Sequence, residues 1–212
     1  MTRILLEGAA VGRGPAAALP PVSLDARPGA VTVVATEGGQ RPTVLALVAG
    51  GRMAVDAGTV DAPRRRIALV DTPTVAEHPD DVAVATVVRE ELALAGRHGV
   101  RRALDRLGLA AWARRPFGAL PAADRIRLLA ELALERPGVD ALVVTSPERH
   151  GGDPAAWFHV LRGIAARGTT VLVVTDHATR DALPDLPTPA PDAVPLFESE
   201  LYDTDPLEGS LS

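Results

Sequence analysis

The chain has 212 residues, of which 47% are hydrophobic but only 3% aromatic, and its formal net charge is −5 at pH 7. A core with so few aromatic rings must be built from Ala, Val and Leu, which is typical of proteins that alternate strands and helices. The acidic balance excludes the basic surface with which proteins bind nucleic-acid backbones, so no nucleic-acid partner is expected.

Two residue types are missing from the sequence, and each absence removes a class of chemistry. The chain has no Cys, which excludes disulfides, thiolate metal sites and cysteine nucleophiles. All 22 basic residues are Arg, so a mechanism that requires lysine is also excluded. No apolar run approaches the roughly 20 residues that cross a bilayer, and no secretory signal opens the chain. We therefore expect a cytoplasmic location, with any membrane contact made through a partner.

The predicted strands and helices alternate along the chain. Apolar runs bounded by turn residues predict strands at 3–6, 30–35, 66–70, 141–144 and 170–174. Apolar residues at three- and four-residue spacing predict helices at 43–48, 83–95, 100–107, 122–135 and 154–166. This alternation indicates an α/β fold with a parallel sheet covered on both faces.

The same elements divide the chain into a domain and a tail. Residues 72–121 are mostly helical and interrupt the strands, so we predict one domain over 1–182 with a helical insertion at about 72–121. Residues 183–212 are acidic and rich in Pro, with few side chains able to fill a core, which predicts a flexible tail. A docking segment built around Leu196, Phe197, Leu201 and Tyr202 remains an alternative for this tail.

The order of several short sequence segments points to a known family. VSLDARPGAVTVV is followed by TVLALVAGG, DAGTV, TVVREELALAG, DRIRLLAELALERP, ALVVTSP, GGDP and TTVLVVTDH. Over residues 3–178 this series resembles the ATP-binding subunit of an ABC transporter. The resemblance implies a P-loop NTPase-like ABC ATPase domain with a mostly parallel core sheet, a small antiparallel part near the N-terminus and a helical insertion. DAGTV is expected to be the turn after the first helix.

The segment that matches the family's phosphate-binding loop lacks much of its chemistry. In the motif G-x-x-x-x-G-K-[ST], backbone N–H groups surround phosphate, while the Lys and the hydroxyl hold phosphate and Mg²⁺. Here Arg41 stands at the lysine position, and Pro42 supplies neither an N–H nor a hydroxyl. Gly38, Gly39, Arg41 and Thr43 remain as candidates for residual anion or nucleotide binding.

The positions that match the family's catalytic residues are also changed. The metal-supporting and catalytic carboxylates are replaced by Thr145 and Ser146, which cannot act as a general base. Asp176 stands where the family has its switch histidine, and His177 comes one residue later, where its side chain would face the other way. We therefore predict that His177 is a surface or loop residue and that all four positions are degenerate.

Two further matches agree with this interpretation. Thr72 falls near the family's glutamine after the third strand, and LPAAD at 120–124 matches the L-S-G-G-Q signature. A proline and side chains with Cβ atoms hinder the close backbone approach that the signature's glycines allow. The histidines show no metal-ligand spacing, so no metal site is predicted.

The resemblance and the lost residues together predict a degenerate ABC transporter ATP-binding-type subunit. We expect it to be a non-hydrolysing structural or regulatory partner of a transporter or membrane protein complex. The expected partners are another ABC ATPase subunit, a membrane permease, or both. ATP and Mg²⁺ are expected to bind weakly or not at all.

Two alternatives remain open at this point. The first is an unusual but active ATPase in which Arg41 and Thr43 act with Asp71 or Asp176. The second is an unrelated enzyme with Ser146 as nucleophile and His150 or His177 as base. Ser146 lacks the G-x-S-x-G turn that exposes such a serine.

Overall fold

A computed structural model describes residues 1–183, and the predicted tail beyond them lies outside the described residues. The strands are β1 (Ile4–Val11), β2 (Leu19–Ala26), β3 (Val31–Ala35), β4 (Ala57–Asp61), β5 (Ile67–Val70), β6 (Ala141–Thr145) and β7 (Thr170–Thr175). The α-helices are α1 (Arg41–Ala49), α2 (Val84–Leu94), α3 (Val100–Arg106), α4 (Ala122–Ala133), α5 (Pro154–Ala165) and α6 (His177–Ala182).

A parallel sheet of four strands, in the order β3-β7-β6-β5, forms the centre of the described chain. Val33 lies opposite Val173, and Val143 lies opposite Leu172. β5, β6 and β7 are buried at every position, which explains their continuous apolar sequences. The predicted parallel sheet is confirmed.

Successive side chains of the parallel strands enter two different cores. In β6, Leu142 and Val144 pack in a core with α2, α3, α4 and α5, whereas Ala141 and Val143 pack in a core on the opposite face. The second core also contains α1 and an antiparallel sheet of order β2-β1-β4. The two-residue period of a strand produces this division. Helices therefore cover one face of the parallel sheet, and α1 with the antiparallel sheet covers the other.

The antiparallel sheet contains a strand where the sequence analysis predicted a turn. The DAGTV phrase leads into β4, which pairs with β1, and the prediction of a turn is therefore wrong. Four of the five residues of β4 are exposed, so no alternating apolar pattern marked it. The two strands approach closely at Gly58 (φ +77°), where a Cβ would lie 2.3 Å from the carbonyl carbon of Gly8. Only glycine fits this approach.

The predicted helices are confirmed, with each end within two residues of its expected position. The segment between β5 and α4 contains α2 and α3 together with short 3-10 turns. α6 was not predicted, because its six residues are too few for an apolar repeat. Its first turn is instead fixed by Asp176, whose Oδ1 accepts a hydrogen bond from the N–H of Thr179 at 2.6 Å.

Candidate functional site

The carboxyl ends of the parallel strands form the edge where the predicted site residues meet. Ligands of open α/β sheets bind at this edge, because the loops after adjacent strands lie side by side there. At the ends of the strands, Ala35 lies opposite Thr175, and Thr145 lies opposite Val174. The fold therefore brings the candidate phosphate loop to the same edge as Thr145, Ser146, Asp176 and His177, the four positions predicted to be degenerate.

The loop after β3 makes a glycine turn and then enters α1. Gly38 and Gly39 both have positive φ, +97° and +47°, which explains why glycine stands at these positions. The N–H of Arg41 donates to the carbonyl oxygen of Gly38 at 3.0 Å, and Pro42 has no N–H. Two consecutive residues at the start of α1 therefore offer no backbone donor to a phosphate.

The side chain of Arg41 folds back over this loop. Its Nη1 lies 3.4 Å from the carbonyl oxygen of Glu37. A Cβ added to Gly38 would lie 3.6 Å from the same nitrogen, so the guanidinium packs against the glycine turn. A planar guanidinium is broader than an ammonium group, and here it lies over the turn.

A cavity of about 330 Å³ adjoins the loop and is hereafter called the apolar cavity. Its apolar lining consists of Leu19, Pro20 and Val22 of β2, Val34 of β3 and Leu45 of α1. Thr36, Glu37, Gly38, Arg41 and His177 form the rest of its lining. Of the predicted site residues, Gly38, Arg41 and His177 line the cavity. His177 is exposed and is the first residue of α6, so it is a surface residue that begins a helix.

Two threonines meet where the resemblance places the metal-supporting carboxylate. Thr145 at the end of β6 and Thr72 after β5 have no exposed surface, and their hydroxyl oxygens form a hydrogen bond of 2.9 Å. The next residue, Ser146, has a positive φ of +48°, which is uncommon for a residue with a side chain. The hydroxyl groups of Thr72 and Thr145 thus hydrogen-bond to each other, and neither carries a charge.

A buried carboxylate that the sequence analysis mentioned only in an alternative dominates the electrostatics of this edge. Asp71, directly after β5, is 1% exposed and has a φ of +53°. Its carboxylate accepts hydrogen bonds from Arg125 at 3.1 and 3.3 Å and from Arg149 at 2.9 Å. Nε2 of His150 lies 2.6 Å from the same carboxylate. Burial acts to raise the pKa of Asp71, but the hydrogen bonds from His150 and Arg125 and the arginine charges outweigh it and lower the pKa.

Arg125 connects this carboxylate to the helical segment. The side chain lies on α4 and is 1% exposed. Its Nη1 donates to Asp80 at 2.5 Å, and its guanidinium carbon lies 4.2 Å from the centre of the Phe117 ring. The guanidinium of Arg125 therefore connects the end of β5, the loop before α2 and the start of α4. Its hydrogen bonds to the two carboxylates are charge-assisted, and such bonds are stronger than those between neutral groups.

A second carboxylate lies near the ends of β6 and β7. Burial raises the pKa of Glu148, and the charge of Asp176 adds to this effect although the hydroxyl of Thr175 opposes it. That hydroxyl donates to Glu148 Oε2 at 2.7 Å. The carboxylate of Asp176 itself is engaged as the cap of α6.

Two of the comparisons with known proteins point to the same kind of protein. No family model matches the sequence. Two curated proteins from strains of Mycobacterium tuberculosis, each described as an uncharacterized ABC transporter ATP-binding protein, are 33% identical to this chain over 174 residues. The match covers 78% of this chain and 24% of each relative. The chain thus spans about a quarter of the length of the curated relatives it matches.

Solved structures of the same kind share the architecture. A nucleotide-free ATP-binding cassette from an ABC transporter is similar with a TM-score of 0.62 and 18% identity, over 84% of this chain and 82% of that chain. The cbiO1 protein of Clostridium perfringens, part of an ABC transporter complex, is similar with a TM-score of 0.57 and 16% identity, over 82% of this chain and 78% of that chain. The chain has the ABC ATPase fold. The resemblance stated from the sequence and the fold class that it implied are confirmed.

The ABC ATPase fold implies that ATP and Mg²⁺ bind at this edge. The side chains at the end of β6 do not fit the Mg²⁺ ion. Mg²⁺ is usually held through one or two carboxylates together with phosphates, whereas Thr145 offers a hydroxyl that is bonded to Thr72. Within residues 1–183 no group of three or more His, Asp or Glu could hold a metal ion. Nor is any helix in those residues long and apolar enough to cross a membrane.

One feature of the sequence, a charged residue on the apolar face of α4, indicated the buried network around Asp71. The apolar face of α4 runs through Ala122, Ile126 and Leu129, and Arg125 occupies the same face. A charged residue on the buried face of a helix requires an oppositely charged partner. The identity of that partner depends on which loops reach the helix, so Asp71 could not be assigned from the sequence.

Proposed function

We propose that this chain is an ABC ATPase-like subunit that does not hydrolyse ATP and that acts as a structural or regulatory partner. The buried hydrogen bond between Thr72 and Thr145 carries the proposal. Phosphoryl transfer relies on metal ions and positioned charges to neutralise the phosphates. At this point the chain has two hydroxyl groups that satisfy each other and carry no charge.

The loop after β3 supports the same conclusion. The N–H of Arg41 is used within the turn, and Pro42 has none. The exposed Glu37 adds negative charge beside the position where phosphate would lie. Each of these features weakens an anion site at the start of α1, although the helix itself forms normally.

The acids that an active enzyme could have used instead are engaged elsewhere. Asp71 is surrounded by Arg125, Arg149 and His150, and Asp176 caps α6. A carboxylate with these partners would have to break them in order to accept a proton or hold a metal ion. This argues against an ATPase in which Asp71 or Asp176 has taken over.

An active ATPase remains the second candidate, and the observation that favours it is Glu148. This carboxyl group lies near the same edge, hydrogen-bonded to Thr175, and burial raises its pKa as a general base requires. If this candidate is correct, the purified protein will hydrolyse ATP and Glu148→Gln will abolish the turnover.

The proposed role requires partners. We propose pairing with another ABC ATPase subunit, with a membrane permease, or with both, because a subunit without a complete site can still supply one half of an interface. Affinity purification from cells that express the chain at its natural level should recover one of these proteins. Recovery of the chain alone in repeated experiments would contradict a partner role.

The central test restores the lost groups in the full chain. We expect no ATP turnover by the unmodified protein and only millimolar or weaker binding of Mg²⁺–ATP by calorimetry. Combining Arg41→Lys, Pro42→Ser and Thr145→Asp should bring binding into the micromolar range, since each charge-assisted contact contributes about 1.5–3 kcal/mol. Arg41→Lys alone is the matched control and should restore little.

ATP turnover by the unmodified protein that is lost in the Glu148→Gln variant would overturn the proposal. Tight binding of Mg²⁺–ATP by the unmodified protein would show that Arg41, Pro42 and Thr145 are wrongly assigned as lost nucleotide contacts. A melting curve of each variant shows whether the fold is intact, so that a failure to bind is not confused with a failure to fold.

A further inference from the structure

A cleft between α2 and α3, hereafter the basic cleft, has a volume of about 570 Å³. Its charged lining consists of three arginines and one glutamate: Arg97, Arg102, Arg106 and Glu135. Three positive charges and one negative charge give this lining a net charge of +2, with His98, which also lines the cleft, counted as neutral. The whole chain has a formal net charge of −5, so the cleft is a local exception. Its charge favours a negatively charged ligand.

Backbone hydrogen bonds fix both ends of the turn that joins α2 to α3. At the end of α2, the N–H of Arg97 donates to the carbonyl oxygen of Leu92 at 2.8 Å. At the start of α3, the N–H of Ala103 donates to the carbonyl oxygen of Gly99 at 3.0 Å. The backbone that carries Arg97 and Arg102 is therefore ordered on both sides of the turn. It holds the two arginines at one cleft before any ligand binds, which lowers the entropic cost of binding.

Glu135 holds the other two guanidinium groups together. Its Oε1 accepts a hydrogen bond from Nη2 of Arg106, and its Oε2 lies 3.5 Å from Nε of Arg97. The side chain of Glu135 is 16% exposed, whereas those of Arg97 and Arg106 are 62% and 56% exposed. A guanidinium group has five N–H donors, so each of these arginines keeps donors for the oxygens of a ligand.

Arg102 is the cation that a ligand can pair with directly. Its side chain lines the basic cleft and is exposed, and no side chain within residues 1–183 forms an ion pair with it. The preceding residue, Arg101, does not line the cleft, and its Nε lies 3.8 Å from Oδ2 of Asp105. A ligand at Arg102 therefore has no protein carboxylate to displace.

The basic cleft lies away from the edge that carries the candidate phosphate loop. Near the start of α4, Arg125 reaches Asp71 at the carboxyl end of β5. Glu135 comes ten positions later, just beyond the end of α4, which corresponds to about 15 Å along a helix. Arg106 and Glu135 also line a neighbouring cleft with Asp140, the residue directly before β6. The basic cleft is therefore at the amino ends of the parallel strands, opposite the phosphate loop.

We propose that the basic cleft binds a small molecule through a phosphate monoester group, with Arg102 as its main ionic partner. Such a group carries a charge of about −1.5 to −2 near pH 7 and presents three acceptor oxygens at one centre. This charge matches the net +2 of the lining, whereas a single carboxylate does not, and the volume of the cleft is typical of small-molecule sites. The inference goes beyond the proposed function, because the basic cleft shares no residue with the phosphate loop.

A titration of the isotope-labelled full chain with inorganic phosphate, followed by NMR, tests this site. Constant ionic strength keeps general screening the same throughout. We expect the amide signals of Gly96, His98 and Gly99, which line the cleft, to shift and to saturate. Arg102→Gln should raise the dissociation constant about tenfold, because it removes a charge-assisted contact. Arg101→Gln is the matched control, since it makes the same charge change one residue away, and it should alter the constant by less than about twofold.

Several results would overturn the proposal. One is the absence of saturable shifts at the cleft with tens of millimolar phosphate. Another is equal weakening by Arg101→Gln and Arg102→Gln, which would show a response to overall charge and not a site. Succinate carries its two charges on separate carboxylates and should bind severalfold more weakly, so equal affinity for succinate would contradict the phosphate assignment.

Two further arms identify the source of the phosphate group. Vesicles that contain phosphatidic acid should not retain the chain, and retention would assign the cleft to a membrane surface instead. Phosphoserine should bind as tightly as a peptide that contains it, and tighter binding of the peptide would assign the cleft to a phosphorylated protein. The amide signals of Gly38 and Gly39 report the phosphate loop separately, and no nucleotide is used. Failure at the basic cleft is therefore distinguishable from failure of the proposed function.

Discussion

Thr72 and Thr145 show how two buried hydroxyl groups can satisfy each other. A carboxylate at the end of β6 would be costly to bury without a partner. Two hydroxyl groups need only one hydrogen bond between them, and they form it at 2.9 Å with no exposed surface. The identity of Thr145 could be read directly from the sequence, but its pairing with Thr72 could not.

A double-mutant cycle should show that these two hydroxyl groups act as a pair. Thr72→Val or Thr145→Val alone should lower the free energy of unfolding by about 1–3 kcal/mol, because the remaining buried hydroxyl loses its partner. The double variant should be nearly as stable as the parent protein, since Val has a similar shape and neither polar group remains. Urea unfolding measures all four proteins. Additive losses in the double variant would contradict the pairing.

Asp71 should make the fold sensitive to acid. Its pKa in the folded protein is lower than its ordinary value of 3.8, so its ionised form stabilises the fold above the unfolded pKa. That contribution is lost as the pH falls through the lower folded pKa. Asp71→Asn should cost about 3–5 kcal/mol near neutral pH, because the buried Arg125 loses a partner. It should also flatten the dependence of stability on pH below about 4.

Asp25 provides a control for the Asp71 prediction. Its ion pairs with Arg3 and Arg27 lie at the surface, where such pairs contribute little because water and salt screen them. Asp25→Asn should therefore leave stability near neutral pH almost unchanged. Equal losses from Asp25→Asn and Asp71→Asn would show that burial is not what makes Asp71 important.

At the scale of the elements, α5 begins at an N-terminal cap that can be recognised in the sequence. In the GGDP turn, Asp153 Oδ1 accepts a hydrogen bond from the N–H of Ala155 at 2.9 Å, and Pro154 occupies the first helical position. Asp153→Ala should lower the free energy of unfolding by about 1 kcal/mol. Asp153→Asn should retain most of the stability, because an amide oxygen can accept the same bond. Thermal or urea unfolding compares them, and equal losses in both would contradict the capping role.

Two of the elements that were not predicted share a physical reason. β4 is an exposed edge strand and α6 is a capped helix of six residues, so neither has the repeated apolar positions from which elements are predicted. Their positions depend on neighbours: β4 is held by β1, and α6 lies against β3 and α5. The main helices and the buried parallel strands were found because burial imposes a pattern on the sequence.

At the scale of the whole molecule, α1 links the two sheets. Leu45 is 1% exposed and packs in the core shared by the antiparallel sheet and one face of the parallel sheet. Leu45→Ala should lower the free energy of unfolding by about 2–5 kcal/mol, because the surrounding groups cannot fill the space that it leaves. Circular dichroism and the fluorescence of Trp112 and Trp157, which both pack in the opposite core, should report one common transition, as expected for cores on opposite faces of a single sheet.

Leu94→Ala is the control for this prediction, since Leu94 is 63% exposed. Its effect should be below about 0.5 kcal/mol. Separate transitions for the two probes would show that the two cores unfold independently, which would contradict a single cooperative unit.

The sequence by itself determined the parallel strands, the main helices and the order of phrases that resembles ABC ATP-binding subunits. It also determined which residue types stand at Arg41, Pro42, Thr145 and Ser146. These features are local or periodic, and burial on both faces of a sheet imposes them directly. Only the tertiary structure decided that Thr72 meets Thr145 and that Arg125 reaches Asp71. Contacts between residues 73 and 54 positions apart depend on the packing of the strands and helices, which no local pattern records.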